Sequence, residues 1–177
     1  MKAGEPYSDV PVDIAGFDFE ETFRTHYARI ARIVSRVVND SARADDLVTE
    51  VFWKLWNTHS AQTPDVGGWL YRVALRAALD DLRRQSRRAK YERLFGFQRR
   101  EPTPEEAHAQ AEDCRRVRSV LAVLKVSQSE LLMLRGEGFS YQEIAKALKL
   151  NPASVGTLLI RAQKAFRKEY IKRYGEA

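Results

Sequence analysis

Residues 138–162 read Gly138-Phe139-Ser140-Tyr141-Gln142-Glu143-Ile144-Ala145-Lys146-Ala147-Leu148-Lys149-Leu150-Asn151-Pro152-Ala153-Ser154-Val155-Gly156-Thr157-Leu158-Leu159-Ile160-Arg161-Ala162. Ser140 followed by Glu143 fits a capping box, in which each side chain satisfies the other residue's free amide at a helix start. The short helix so opened packs through Ile144, Ala145 and Leu148. Leu150-Asn151-Pro152 makes the next turn, with Asn151 a good N-cap and Pro152 a good first helical residue. The last helix runs from Pro152 to about Arg173. Val155, Leu158, Leu159, Ala162 and Phe166 fall on one side of it, and Ser154, Thr157, Arg161, Lys164 and Lys168 on the other. Two helices joined by a short turn, the second with a polar and basic face, describe a helix-turn-helix. Ser154 and Thr157 are then expected at base edges. Arg161 reaches base or phosphate, and Lys164 and Lys168 reach phosphate.

Upstream of this motif, Arg135-Gly136-Glu137-Gly138-Phe139 reads as a turn. Before it come two further helices, one from near Glu112 with Val117, Val120, Leu121 and Leu124, and one capped by Ser127 or Ser129 with Leu131, Leu132 and Leu134 inside. Residues 84–100 are strongly basic and 101–106 hold two prolines. This composition places a flexible linker at 93–111, between a helical domain at 18–92 and a second at 112–177. The first 17 residues read as a flexible leader.

Three helices are expected in the first domain. Phe19, Phe23, Tyr27, Ile30, Val34 and Val37 recur at helical steps within 17–38. Ser41 caps a second helix over 42–58, striped by Leu47, Val48, Val51, Phe52, Leu55 and Trp56. A turn-rich stretch with Pro64 and Gly67-Gly68 leads to a third helix over 69–88. At about 100° per residue, Arg72, Arg76, Arg83 and Arg87 of that helix fall within about 60° of one another. The fold class is therefore all-α: two small helical domains, a linker and a C-terminal helix-turn-helix.

The 177 residues carry 30 Lys+Arg against 24 Asp+Glu, a net charge of +6, which favours a polyanionic partner. One cysteine, Cys114, and scattered histidines at 26, 59 and 108 leave no disulfide and no structural metal site to expect. A reducing cytoplasmic setting fits. No apolar run approaches the roughly 20 residues of a membrane span, so no membrane insertion is expected. There is no glycine-rich phosphate loop and no nucleophile motif, so neither catalysis nor a cofactor is expected. Asp80 and Asp81 are adjacent and point about 100° apart, which is not a metal site by itself.

Several stretches resemble the RNA polymerase sigma factors of the extracytoplasmic-function (ECF) type. Asp45-Asp46-Leu47-Val48-Thr49-Glu50-Val51-Phe52-Trp53-Lys54-Leu55-Trp56 is similar to that family's core-binding helix. Trp69-Leu70-Tyr71-Arg72-Val73-Ala74, with Asp80-Asp81-Leu82-Arg83-Arg84, resembles its downstream-element-reading helix. Gly138 to Ala145 and Arg161-Ala162 resemble its C-terminal helix-turn-helix. The resemblance implies that Asp46, Leu47, Glu50, Val51 and Lys54 dock on the clamp helices of core RNA polymerase. It implies that the first domain opens the minus-ten element of promoter DNA, with 57–68 as the base-capturing loop and Arg72, Arg76, Arg83 and Arg87 supplying a cationic groove. The second domain would read the minus-thirty-five element as duplex. An anti-sigma factor is implied as a further partner. The chain departs from the family at Arg76, where Asn is common, and at Gly156 and Leu158, where basic residues are common. An ordinary helix-turn-helix regulator, acting without polymerase, is the competing reading. It leaves the arginine stripe and the aromatic-rich second helix without a purpose.

Overall fold

The computed structural model describes residues 17–94 and 108–175. They form seven α-helices: α1 (Phe19–Val37), α2 (Ser41–Trp56), α3 (Val66–Leu94), α4 (His108–Leu121), α5 (Val126–Gly136), α6 (Tyr141–Leu148) and α7 (Pro152–Tyr174), with a 3-10 turn at His59–Ala61. No strand occurs among the described residues.

The helix starts follow from short polar side chains. Asp18 accepts from the amide of Glu21 at 2.9 Å. Asp40 accepts from Arg43 at 3.0 Å, so it, rather than the Ser41 expected from sequence, caps α2. At α5 neither expected serine caps. Helix α5 begins after Lys125, and Ser129 is buried, donating to the carbonyl of Leu121 at 2.9 Å. A hydroxyl that can bond a buried carbonyl is worth more there than at a solvated helix end.

Helix α3 begins three residues earlier than expected and takes Gly67 and Gly68 into its first turn. The pair marks close approach instead of a turn. A Cβ on Gly68 would stand 3.3 Å from the Cα of Ala147, and one on Gly67 would stand 2.9 Å from the His26 ring. Helix α3 continues to Leu94, past the expected domain boundary, and α4 begins at His108, inside the expected linker. Residues 1–16 of the leader and 95–107 of the linker lie outside the described residues.

Helices α1, α2 and α3 bury Ile30, Val34, Leu47, Val51, Leu55, Leu70, Leu75 and Leu79 against one another. Helices α4 to α7 bury Val120, Leu131, Leu134, Ile144, Val155 and Leu159. Each such aliphatic side chain contributes about 1.5–3 kcal/mol when fully buried. The two cores meet. Helix α3 packs against α4, α5 and α6, and one continuous apolar cluster runs through both halves.

Candidate functional site

The helix-turn-helix forms as its residues dictate. Ser140 Oγ accepts from the amide of Glu143 at 3.2 Å, and the Ser140 amide donates to Glu143 Oε2 at 2.8 Å. These bonds to Ser140 hold the Glu143 carboxyl below the usual carboxylate range. Helix α6 ends on Lys149 in the left-handed conformation (φ 56°), and the amide of Leu150 closes back to Ala145 at 2.8 Å. Asn151 accepts from Ala153 at 3.0 Å and starts α7. Gly138 (φ 80°) supplies the positive dihedral in the turn after α5.

Helix α7 buries Val155, Leu159 and Ala162 and leaves Ser154, Thr157, Arg161, Lys164 and Lys168 exposed on its other side. The five form one polar and basic row. Gly156 faces inward: a Cβ there would meet the Tyr141 ring at 3.4 Å. The glycine therefore serves packing of α7 on α6. Leu158 is half-buried against the same core.

On α2 the expected polymerase-docking residues divide. Leu47 and Val51 are buried in the core between α1 and α3, which takes their side chains away from any docking surface. Asp46, Glu50 and Lys54 are exposed. Arg43 organises this face. It donates to the buried carboxylate of Asp81 at 3.1 Å, approaches Glu50 at 3.4 Å and approaches Asp46 at 3.8 Å. Gln85 donates to the second Asp81 oxygen at 2.7 Å, so the buried carboxylate is satisfied within the fold. Trp53, which sequence reasoning left off the site, stands beside these residues with 68% of its surface exposed. With Trp56, Phe19, Phe23, Tyr27, Val48, Thr49 and Phe52 it lines an apolar groove between α1 and α2. A half-exposed aromatic cluster ringed by charge is the composition of a protein-binding surface.

The arginine stripe of α3 is placed differently from its sequence reading. Arg72 donates to the carbonyl of Ala147 at 3.3 Å. Arg76 pairs with Glu130 at 2.7 Å. Arg83 donates to the carbonyls of Ala122 (3.2 Å) and Leu124 (3.0 Å), just past the end of α4. All three partners belong to the second half of the chain. Arg87, further along α3, is exposed. Tyr71, on the same helix, is buried, hydrogen-bonded at 2.9 Å to His26 and set edge-on to Phe139 at 4.9 Å between centroids. Burial raises its hydroxyl above the ordinary tyrosine range and, with Arg29 nearby, lowers the His26 imidazole below its ordinary value. Trp69 is half-buried and packs on the core.

Arg29 lies over the Phe139 ring at 3.7 Å and reaches Glu143 at 3.7 Å. Arg36 meets Glu137 at 2.7 Å. Arg118 donates to the carbonyl of Arg36 and to Asn39 Oδ1, both at 2.9 Å. Sequence periodicity shows each of these residues as an ordinary charge on a helix. Only their partners, 79 or more positions away for Arg118, mark them as a seam.

Comparison with known proteins agrees with this geometry. The Sigma-70 region 2 family matches residues 22–88 and the Sigma-70 region 4 family matches 114–166, together about two thirds of the chain. The ECF RNA polymerase sigma factor SigX of Bacillus subtilis is 27% identical over 164 residues, covering 84% of each chain. The RNA polymerase sigma factor CarQ of Myxococcus xanthus is 27% identical over 158 residues, covering 85% of this chain and 86% of that one. Among solved structures, RpoE of Bartonella quintana, crystallised with the anti-sigma factor NepR, has a similar fold. Its TM-score is 0.53 at 19% identity, covering 89% of this chain and 98% of that one. CnrH, in complex with the cytosolic domain of CnrY, gives a TM-score of 0.55 at 23% identity, covering 85% of each. The order of the two matched regions, the relatives that align over more than four fifths of the chain, and the helix-turn-helix built on α6 and α7 have one reading: the chain belongs to the sigma-70 family, as an RNA polymerase sigma factor of the ECF type.

Proposed function

We propose that this chain directs core RNA polymerase to its promoters by a division of labour between its two halves. Residues 18–92 dock on the polymerase through the exposed α2 face: Asp46, Glu50, Lys54 and, beside them, Trp53. The same half opens the minus-ten element and holds the unpaired strand on Arg72, Arg76, Arg83 and Arg87, where a cationic row suits a phosphate backbone. Opening costs a few kcal/mol per unstacked step, and binding of the strand offsets it without any catalysis by this subunit. Residues 112–177 read the minus-thirty-five element as duplex, with Ser154, Thr157 and Arg161 toward base edges and Lys164 and Lys168 toward phosphate. The protein acts in the cytoplasm with the polymerase, and an anti-sigma factor restrains it by covering these faces.

The observation that carries the reading is α7. Val155, Leu159 and Ala162 are buried in packing, and Ser154, Thr157, Arg161, Lys164 and Lys168 are all presented to solvent. Reconstitution tests the function: the purified chain is mixed with core RNA polymerase from a close relative, and transcripts from sheared genomic DNA are sequenced, with core alone as control. New, discrete start sites sharing two upstream elements are expected. Tight binding to duplex DNA by the chain alone, with no binding to core, would instead make it an ordinary regulator.

A further inference from the structure

We propose that Ile160 reads a thymine of the upstream element, with its side chain against the 5-methyl group in the major groove. The inference rests on the reading of α7 as the duplex-binding helix, and adds to it a base class at a residue outside the polar row. Ile160 is 55% exposed, and among the described large apolar residues only Trp53 and Tyr91 are more so. Exposure alone would mean little, since single apolar side chains on a surface are ordinary. Its surroundings give it meaning. At about 100° per residue, Ile160 stands about 60° from Thr157, about 40° from Lys164 and about 20° from Ala153 around α7. Gly156, one turn earlier, lies against the Tyr141 ring of α6, and the Arg135 guanidinium stands 5.4 Å from the centre of that ring. Arg135, Tyr141, Ala153, Thr157 and Lys164 are all exposed. Cations therefore flank Ile160 on both sides, Arg135 by way of α6 and Lys164 on α7 itself.

Long cationic side chains on either rim find phosphate, and a short side chain between them meets base edges. Ile160 can neither donate nor accept a hydrogen bond. Against a purine it would cover N7, and against cytosine the N4 amine, and either group would lose water without gaining a partner. Thymine offers a methyl group on that edge instead. A protein partner fits the patch less well. Protein interface cores are depleted of charge and built on large aromatic side chains, whereas Ile160 is surrounded by Ala153, Thr157, Lys164 and Arg167. Helix stability does not favour isoleucine there either, because at a solvated position it is a weaker helix former than alanine or lysine.

The test uses the full chain bound to core RNA polymerase and promoter fragments carrying the upstream element that transcript mapping yields. Each thymine of that element is replaced in turn by deoxyuridine, which removes the methyl group and keeps the base pair. Competition binding reads the affinity of each fragment. With the natural chain, one position should lose about fourfold, the worth of one apolar methyl taken out of water. With Ile160→Ala, thymine and deoxyuridine at that position should bind equally well. Ile160→Val, which keeps a branched apolar tip, should restore the preference, which a general loss of helix stability would not do. An upstream element without thymine, a natural chain indifferent to every deoxyuridine, or a sensitivity that survives Ile160→Ala overturns the proposal. So does an Ile160→Ala chain that binds core polymerase more weakly, which would make the side chain a protein contact. Ser154→Ala and Arg161→Ala separate this idea from the reading beneath it. If these two changes leave discrimination among upstream sequences untouched, α7 is not the reader and both ideas fail. If they alter discrimination while no deoxyuridine matters, α7 reads the duplex and Ile160 does not.

Discussion

Consider Arg76 and Glu130, joined at 2.7 Å across the seam. The pair is asymmetric: the Glu130 side chain is 4% exposed and that of Arg76 is 57% exposed. Arg76→Ala strands a carboxylate in the interior, which costs about 3–5 kcal/mol if nothing relaxes. Something does relax, because parting the halves hydrates Glu130, so the loss appears as undocking. Glu130→Gln keeps an acceptor for Arg76 and leaves a guanidinium that already faces water, costing about 1 kcal/mol. Arg76→Ala should therefore exceed Glu130→Gln by about 2 kcal/mol, or roughly 30-fold in the docking equilibrium. The double variant should fall back close to Glu130→Gln alone, since no stranded charge remains. Fluorescence transfer between a dye on the exposed Cys114 and one on Ser60→Cys reads the docked fraction. Equal effects of the two single variants, or a double variant worse than Arg76→Ala, would refute the claim that docking is what buries Glu130.

Trp53→Ala should leave unfolding stability within about 0.5 kcal/mol, because the ring is mostly exposed, yet weaken binding to core polymerase by about 2 kcal/mol in a titration. Lys164→Ala and Lys168→Ala should each lower the salt dependence of duplex binding by about one phosphate contact without changing which sequence is preferred. The His26 imidazole is held neutral in the fold, its pKa lowered by burial and Arg29. Below about pH 6.5 the unfolded chain binds a proton that the folded chain refuses, so stability falls as pH drops through that window, and His26→Gln should flatten this slope in denaturation curves at stepped pH.

Much of this protein is local and was legible in the residues. Ser140 with Glu143, and Asn151 before Pro152, dictate where α6 and α7 begin, because a cap is satisfied within three positions. The apolar period of α7 dictates its buried side, and so which residues it presents. The all-helical class follows from the same periodicity. Cap identity at α2 and α5 was not legible, since Asp40 and Ser41, and Ser127 and Ser129, offer competing oxygens; the α2 start falls on Asp40, and burial takes Ser129 out of the choice at α5. Leu47 and Val51 could serve core or partner equally well by type, and the packing of α1 and α3 around them decided for core. The glycine pair at 67–68 reads as a turn because nothing local says that His26 and Ala147 will crowd it.

What no local rule reaches is the seam. The arginine period along α3 determines that Arg72, Arg76 and Arg83 share a side, and their chemistry determines that the side seeks negative charge. Whether that charge is DNA or the chain's own carbonyls and carboxylates depends on groups 39 to 75 positions away. A guanidinium in one helix carries no record of which acceptor the tertiary fold will bring within hydrogen-bonding distance, so that choice belongs to the docking of two helical cores alone.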